Sequence, residues 1–389
     1  MHHAIVIIGS GLAGVTLARE IRRIDPEIDV AIVTASAGEH YAKPALSNAL
    51  AAGRGVEQLR LADAARLAAD LRIAIHPRVT VRSLDLEARR LDTSDGAIGF
   101  DQLVLAVGAR QRRPDLAGNG ADQVMSINDL DDYAAMRRRL AAASRVAIVG
   151  AGLIGCEFAN DLRLGGFGVE LYDVAPAPLA RLLPAMASQR MRRGLEDIGV
   201  GLHLGSAILG IERGTAHTLE LVAEGGAGGR YDLVLSATGL QPELRLAREA
   251  GLLTGAGIRT DAALATSHPG VFALGDCAEV HGRLLPYVMP ILQGARALAR
   301  TLTGTTTPVD YPPVQIVVKT PACPTVIFPP ARERGDWSVL HDAPDSLQLE
   351  HREAPDGRLT GVVLQGDAVR ERSRLAARLA EFASCRAAA

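Results

Sequence analysis

Ala4-Ile5-Val6-Ile7-Ile8-Gly9-Ser10-Gly11-Leu12-Ala13-Gly14 is an unbroken apolar run that feeds directly into a glycine-rich turn. The run has the length and the Ile/Val content of a strand buried on both faces. Leu17, Ile21 and Ile24 follow at helical spacing and Val30–Val33 is a second apolar run, so residues 4–33 read as strand, turn, helix, strand. In that setting Gly9, Gly11 and Gly14 turn the chain tightly and bring backbone amides up to a pyrophosphate, where the helix N-terminus favours negative charge.

The same arrangement returns further on. Val146–Val149 leads into Gly150-Ala151-Gly152-Leu153-Ile154-Gly155, a helix through Phe158 and Leu162, and a strand at Val169–Tyr172. A single such turn often serves packing alone, whereas two in the same context point to two bound nucleotides. Each copy also closes alike: Phe100–Val107 ends in Gly108, and Tyr231–Thr238 ends in Gly239. After Gly304 the texture changes to Thr, Pro and short strands at Val314–Val318, Thr325–Phe328 and Gly361–Leu364, with a helical tail from Ala368 to Phe382. The expected fold is α/β, with two Rossmann-like dinucleotide-binding domains and a small α+β C-terminal domain.

Bulk properties exclude several classes. At 389 residues the chain is too long for one ordinary core, and 48% hydrophobic content with 40 glycines fits a soluble α/β protein rich in tight turns. A net charge of −2 gives no global field for nucleic acid or an anionic membrane. The N-terminus lacks a charged leader and no apolar run nears the ~20 residues of a membrane span, so a cytoplasmic location without membrane insertion is the default. Cys156, Cys277, Cys323 and Cys385 lie far apart and form no CxxC pair, and no set of residues suggests a metal site.

The acid expected about 20 residues beyond each glycine turn differs between the copies. Asp173 fills the position in the second, where a carboxylate accepts the ribose 2′-hydroxyl and repels a 2′-phosphate, which favours NADH over NADPH although Arg181 follows closely. In the first copy the strand ends at Thr34-Ala35-Ser36, with no acid, so hydroxyls and backbone are left to hold the adenosine. A further signature runs from Thr266 to Asp276, TSHPGVFALGD. It resembles the strand of two-dinucleotide flavoproteins that ends in Gly-Asp, whose carboxylate bonds the ribityl chain, so Asp276 implies FAD. The plainer reading makes Asp276 the N-cap of a helix over Gly294–Leu302.

Several longer strings narrow the resemblance: Tyr41-Ala42-Lys43-Pro44-Ala45-Leu46-Ser47, Ile127-Asn128-Asp129-Leu130, Gly150 to Leu162 (GAGLIGCEFANDL), Leu274 to Val280 (LGDCAEV), Tyr287-Val288-Met289-Pro290 and Val318 to Pro324 (VKTPACP). Over essentially the whole chain these resemble the rubredoxin–NAD(+) reductases that serve bacterial alkane hydroxylases, within the FAD-dependent pyridine nucleotide-disulfide oxidoreductase superfamily. The resemblance implies a glutathione-reductase-like, three-layer ββα fold for the nucleotide domains. Residues 1–112 and 241–310 would form the FAD domain, 113–240 the NAD domain and 311–389 the small domain. It also implies electron flow from NADH through FAD to rubredoxin. Carried onto matching positions, Gly9, Ser10, Gly11, Leu12, Ala13 and Gly14, with Thr34, Ala35, Lys43, Val81, Glu157, Asp276, Val288 and Lys319, would touch FAD. Gly150, Gly152, Gly155 and Asp173 would hold NADH. Ala35-Ser36-Ala37 departs from the acidic pair of the family pattern.

Each of these residues also has an ordinary reading. Val81 and Val288 suit a strand and a core, Glu157 suits the first turn of a helix, and a lysine suits a surface. Lys43 and Lys319 carry the chemical expectation, because an ammonium near flavin N1 stabilises the negative charge of the reduced ring.

Disulfide reductases of the superfamily carry a cysteine pair on the helix after the first unit. Here that helix begins Lys43-Pro44-Ala45-Leu46-Ser47-Asn48, without sulfur. Cys156 and Cys277 read as buried small residues, and Cys323 is unassigned. Without a thiol relay the flavin itself must take two electrons as hydride and release them singly to a metal-centre protein. Rubredoxins are small and acidic, so Arg110, Arg112, Arg113, Arg332 and Arg334 are candidates for a basic docking rim. Three other readings stay open: a ferredoxin reductase, an NADH-responsive flavoprotein that signals by conformational change, and an oxidase or peroxidase, which the missing cysteine opposes. The sequence leaves the oligomeric state open, with a monomer favoured.

Overall fold

The computed structural model describes residues 1–215, 217–226, 228–330, 334–354 and 357–384. The chain divides into two compact units, Met1–Lys43 with Gln58–Arg110 and Leu240–Tyr311, and Pro44–Glu57 with Gln111–Gly239 and Pro312–Ala389.

The first unit is built on the opening strand His2–Ile8, which pairs in parallel with Val30–Thr34 on one side and with Gly96–Leu105 on the other. Ala74–Pro77 extends the sheet beyond Val30–Thr34, and Val271–Ala273 adds in parallel to the C-terminal half of Gly96–Leu105. The hairpin Val81–Asp85 and Arg90–Thr93 pairs antiparallel with the N-terminal half of that long strand. All five residues of Val30–Thr34 are buried, as a parallel strand covered on both faces requires. One cover is the helix Leu12–Ile24, which buries Leu17, Ala18 and Ile21, with Val288–Leu302 packed beside it through Ala295, Leu298 and Leu302. The second helix starts at Val288 rather than at the expected Gly294, because Pro290 falls in its first turn, where no intrahelical N–H is needed.

The second unit repeats the design. Its parallel sheet runs Val200–Leu204, Gly168–Asp173, Arg145–Val149, Leu233–Ser236, with a three-stranded antiparallel sheet of Ile208–Arg213, Leu219–Ala223 and Gly229–Tyr231 over one face. Tyr172 and Tyr231 fill the space between the two sheets and satisfy each other through a 2.6 Å hydroxyl hydrogen bond. The expected single strand Tyr231–Thr238 is therefore two, broken at Asp232. The C-terminal part is a five-stranded antiparallel sheet, Ile316–Val318, Thr325–Phe328, Arg358–Gly366, Ser346–Glu353, Asp336–Ala343, with the helix Arg372–Ser384 over one face. The helix Ala185–Asp197 meets this sheet through Arg190, whose guanidinium donates to Asp342 and to the carbonyls of Ala343, Pro344 and Ser346. No helix among the described residues is long and apolar enough to cross a membrane.

Asp232 sets the sheet register in this unit. Its Oδ2 accepts the N–H groups of Ser144 at 2.8 Å and Arg145 at 2.9 Å, aligning the start of Arg145–Val149 with Leu233. Those two bonds hold the Asp232 carboxyl below its ordinary 3.8. A depressed folded-state value means the stabilisation is present above the unfolded value and is lost as pH falls through the folded one. Asp232→Asn is expected to cost about 1–2 kcal/mol near neutral pH in urea unfolding, with the gap to wild type closing at acid pH. A gap that persists unchanged in acid would contradict this assignment.

Candidate functional site

In the first unit the glycine turn divides into two roles. Gly9 has φ +113°, and a Cβ there would run into the Ala106 carbonyl oxygen; a Cβ at Gly14 would run into the Gly9 carbonyl oxygen. Both positions are closed by the protein's own packing. Gly11 is different: it sits at φ −70°, which any residue adopts, and a Cβ there would meet no protein atom within 4 Å. It is the N-cap of the Leu12–Ile24 helix and makes no side-chain cap, so the first-turn amides have no side-chain acceptor there. A backbone cradle beside uncapped amides is what a pyrophosphate needs, and the residues fit that group. Leu12 and Ala13 pack down against the core and anchor the turn.

Neighbouring residues complete the surround. Ser10, Thr34 and Ser36 form a hydroxyl cluster, with Ser10 Oγ 3.0 Å from Thr34 Oγ1 and 3.2 Å from Ser36 Oγ, and Ala35 is exposed beside it. The strand Val271–Ala273 delivers Gly275 against Ala13: a Cβ at Gly275 would stand 2.8 Å from that of Ala13. Asp276 follows, and its carboxylate accepts no hydrogen bond from the described residues. Burial pushes its pKa above the ordinary 3.8, and the Lys43 ammonium offsets part of that rise. The structure thus brings Lys43, Asp276 and the glycine turn together in one unit. Asp276 does not cap the helix: the N-cap is Tyr287, which makes no side-chain cap. Val288, the first helical residue, is 40% exposed and so is not core, whereas Val81 is buried, with its carbonyl accepting from Arg245 at 3.2 Å.

The second unit repeats the division. A Cβ at Gly150 would lie 2.5 Å from the Ala237 carbonyl oxygen, one at Gly155 would run into the Gly150 carbonyl oxygen, and one at Gly152 would meet nothing within 4 Å. Gly152 is again an uncapped N-cap. Asp173 closes the turn, accepting Ala151 N–H at 2.5 Å and Ala175 N–H at 2.7 Å, one on each oxygen. A carboxylate oxygen carries a further lone pair, so an acceptor remains for a ribose hydroxyl.

A third group in the second unit is ionic. Glu157 is 1% exposed; its Oε1 accepts the Lys319 N–H at 2.9 Å, and its Oε2 accepts the Lys319 ammonium and, at 2.5 Å, the Ser47 hydroxyl. A cavity of about 500 Å³ borders this group, lined by Asn48, Ala51, Asn160, Asp161, Thr320 and Pro321 among others. Ser47, Asn160 and Asp161 lie inside quoted sequence strings but carry no site role there; the signal for the last two is the acidic and amide side chains at i, i+3, i+4 from Glu157 on one helix.

The segment Lys43–Asn48 is a short 3-10 helix without sulfur. Cys156, Cys277 and Cys323 are free and buried, and burial raises the Cys277 thiol to about 11 and pushes that of Cys156 higher still. Cys385 and Arg332 lie outside the described residues. Arg110 is exposed and 3.9 Å from Glu243, and Arg112, Arg113 and Arg334 are exposed. Among the described residues no group of acids, histidines and cysteines could hold a metal.

Two Rossmann-type units, each with an uncapped glycine turn, and a Gly-Asp delivered to the first, define the two-dinucleotide class of flavoprotein oxidoreductases. The chain belongs to the pyridine nucleotide-disulphide oxidoreductase family, which it matches over residues 3–298, and residues 308–379 match the rubredoxin binding C-terminal domain. It is 42% identical to the rubredoxin-NAD(+) reductase of Alcanivorax borkumensis over 96% of this chain and 97% of that one. The corresponding protein of Acinetobacter baylyi is 44% identical over 84% and 85%. Among solved structures, a ferredoxin reductase from Rhodopseudomonas palustris superposes with a TM-score of 0.86 at 28% identity, covering 95% of this chain and 93% of that one.

The two glycine roles separate experimentally. Gly11→Ala is expected to keep the wild-type unfolding midpoint in the flavin-free protein while weakening FAD binding by tenfold or more, at least about 1.4 kcal/mol. Gly14→Ala should instead destabilise the flavin-free protein itself by about 1–3 kcal/mol through overpacking. Calorimetric unfolding alongside FAD titration reads both, and equal behaviour of the two variants would contradict the division.

Proposed function

We propose that this chain is an NADH-dependent FAD flavoprotein that delivers electrons to rubredoxin. The observation that carries the proposal is a cysteine-free Lys43–Asn48 segment in a chain whose last part matches the rubredoxin binding C-terminal domain. FAD, when bound, would supply an acceptor that takes two electrons from NADH and releases them one at a time.

The chain's own residues would hold and tune the two cofactors. The amides of Gly11 to Gly14, in the turn that Gly9 opens while its own N–H donates to Val33, would bond the FAD pyrophosphate, with the Ser10 and Thr34 hydroxyls, Ala35 and Val81 toward the adenosine. Asp276, whose carboxylate accepts no hydrogen bond from the described residues, would accept from a ribityl hydroxyl. The uncapped N-terminus at Val288 and the ammonium groups of Lys43 and Lys319, the latter held by Glu157, would favour negative charge on the ring. The amides of Gly152 and Gly155, in the turn that Gly150 opens while its own N–H donates to Tyr172, would bond the pyrophosphate of NADH, and Asp173 would disfavour a 2′-phosphate. On this reading residues 1–112 and 241–310 serve FAD, 113–240 serve NADH and 311–389 serve the partner. We further infer a cytoplasmic setting, where NADH is supplied, and an alkane-hydroxylase-type monooxygenase as the consumer, which the quoted sequence strings support.

A ferredoxin as acceptor is the second reading, favoured by the likeness to a solved ferredoxin reductase. Enzyme reduced anaerobically with NADH and then mixed with either carrier in a stopped-flow instrument separates the two. Rubredoxin is expected to reoxidise the flavin at least about tenfold faster than a ferredoxin, a difference of 1.4 kcal/mol; the reverse order would reject rubredoxin. Replacing exposed Arg112 and Arg113 by glutamate should slow that step and flatten its dependence on salt, while NADH reduction of a dye is retained. Equal losses in both assays would remove those arginines from the docking rim.

A further inference from the structure

The helix Leu153–Leu164 buries three polar side chains on one face: Glu157, Asn160 and Asp161, at 1%, 1% and 3% exposure and spaced i, i+3, i+4. Buried polar groups are tolerated when satisfied, and these three are satisfied by other segments of chain. Glu157 takes the Lys319 N–H, the Lys319 ammonium and the Ser47 hydroxyl. Asn160 Oδ1 accepts the Ala322 N–H at 3.0 Å, three residues beyond Lys319. Asp161 accepts the N–H groups of Leu50 and Ala51, each at 2.9 Å, just beyond Ser47. One helix face therefore grips both segments that meet at Glu157, and grips each a second time a few residues further on. Between them Lys319 Nζ donates to Ser47 Oγ at 3.1 Å while Ser47 donates to Glu157, so the hydroxyl bridges ammonium and carboxylate.

We propose that Ser47 and Asp161 are positioning residues for the flavin reaction: Asp161 fixes the turn at Leu50 and Ala51, which holds Ser47 in place, and Ser47 holds the Lys319 ammonium against Glu157. The inference rests on the reading of Lys319 as a group that favours charge on the reduced flavin. Its physical basis is preorganisation, since an ammonium fixed in place stabilises a developing charge without reorganising to reach it. Asp161→Asn keeps the size of the side chain but turns a donor toward one of the two backbone N–H groups, and Ser47→Ala removes the bridge together with a 3.4 Å hydrogen bond to the Pro44 carbonyl.

The test is the two-electron midpoint potential of the FAD in the holoenzyme, measured by anaerobic dye equilibration for wild type, Lys319→Met, Ser47→Ala and Asp161→Asn. Lys319→Met is expected to lower the potential, and Ser47→Ala and Asp161→Asn to lower it with normal FAD content. A tenfold weaker stabilisation of the reduced form corresponds to about 30 mV for this couple. Should Asp161→Asn fail to fold, Ser47→Ala reads the same quantity. Unchanged potentials in Ser47→Ala and Asp161→Asn beside a lowered one in Lys319→Met would overturn the positioning role alone. An unchanged potential in Lys319→Met would overturn it together with the reading of Lys319.

Discussion

The first turn of an α-helix presents amide hydrogens with no partner inside the helix, and a protein ordinarily supplies one from a capping side chain. At Gly11 and at Gly152 this chain supplies none, and places there the one residue that adds no atom in front of those amides. Much of the architecture can be derived from that constraint. Gly9 and Gly14 must be glycine so that strand, turn and helix pack closely enough to bring the amides forward, and Gly150 and Gly155 do the same in the second unit. The parallel strands behind each turn fix its position, and Val271–Ala273 returns along the same sheet to set Asp276 beside the first turn.

Those features were legible in the sequence because each is local. A parallel strand buried on both faces appears as a continuous apolar run, and a dinucleotide turn appears as three glycines at fixed spacing immediately after it. The outer hairpin Asp336–Ala343 and Ser346–Glu353 leaves little trace in the sequence: six of the eight residues of its first strand are exposed, so it carries little apolar alternation. The start of the helix at Val288 is hidden in the sequence because Pro290 reads as a breaker when the helix start is not known. Tyr231–Thr238 reads as one strand in the sequence because its break is a single aspartate whose partners, Ser144 and Arg145, are distant in the chain.

The site divides along the same line. Gly11, Gly152, Asp173 and Asp276 sit in motifs, whereas Ser47, Asn160 and Asp161 act on backbone amides or on an ion pair far away in the chain. A side chain that satisfies a remote N–H leaves no spacing rule behind. The cysteines show the converse. Cys156 bonds the Ala151 carbonyl and Cys277 the Leu105 carbonyl, both fully buried with raised thiol pKa values, which keeps them from reacting as thiolates. With no thiol on Lys43–Asn48, electron transfer outward is left to the flavin itself.

The most direct test of two dinucleotides on two uncapped turns is the stoichiometry and colour of the purified protein. One FAD per chain is expected, with a yellow flavin band that is lost on anaerobic addition of one equivalent of NADH. A protein that stays colourless after incubation with excess FAD, or a bound flavin that NADH does not bleach, would contradict it.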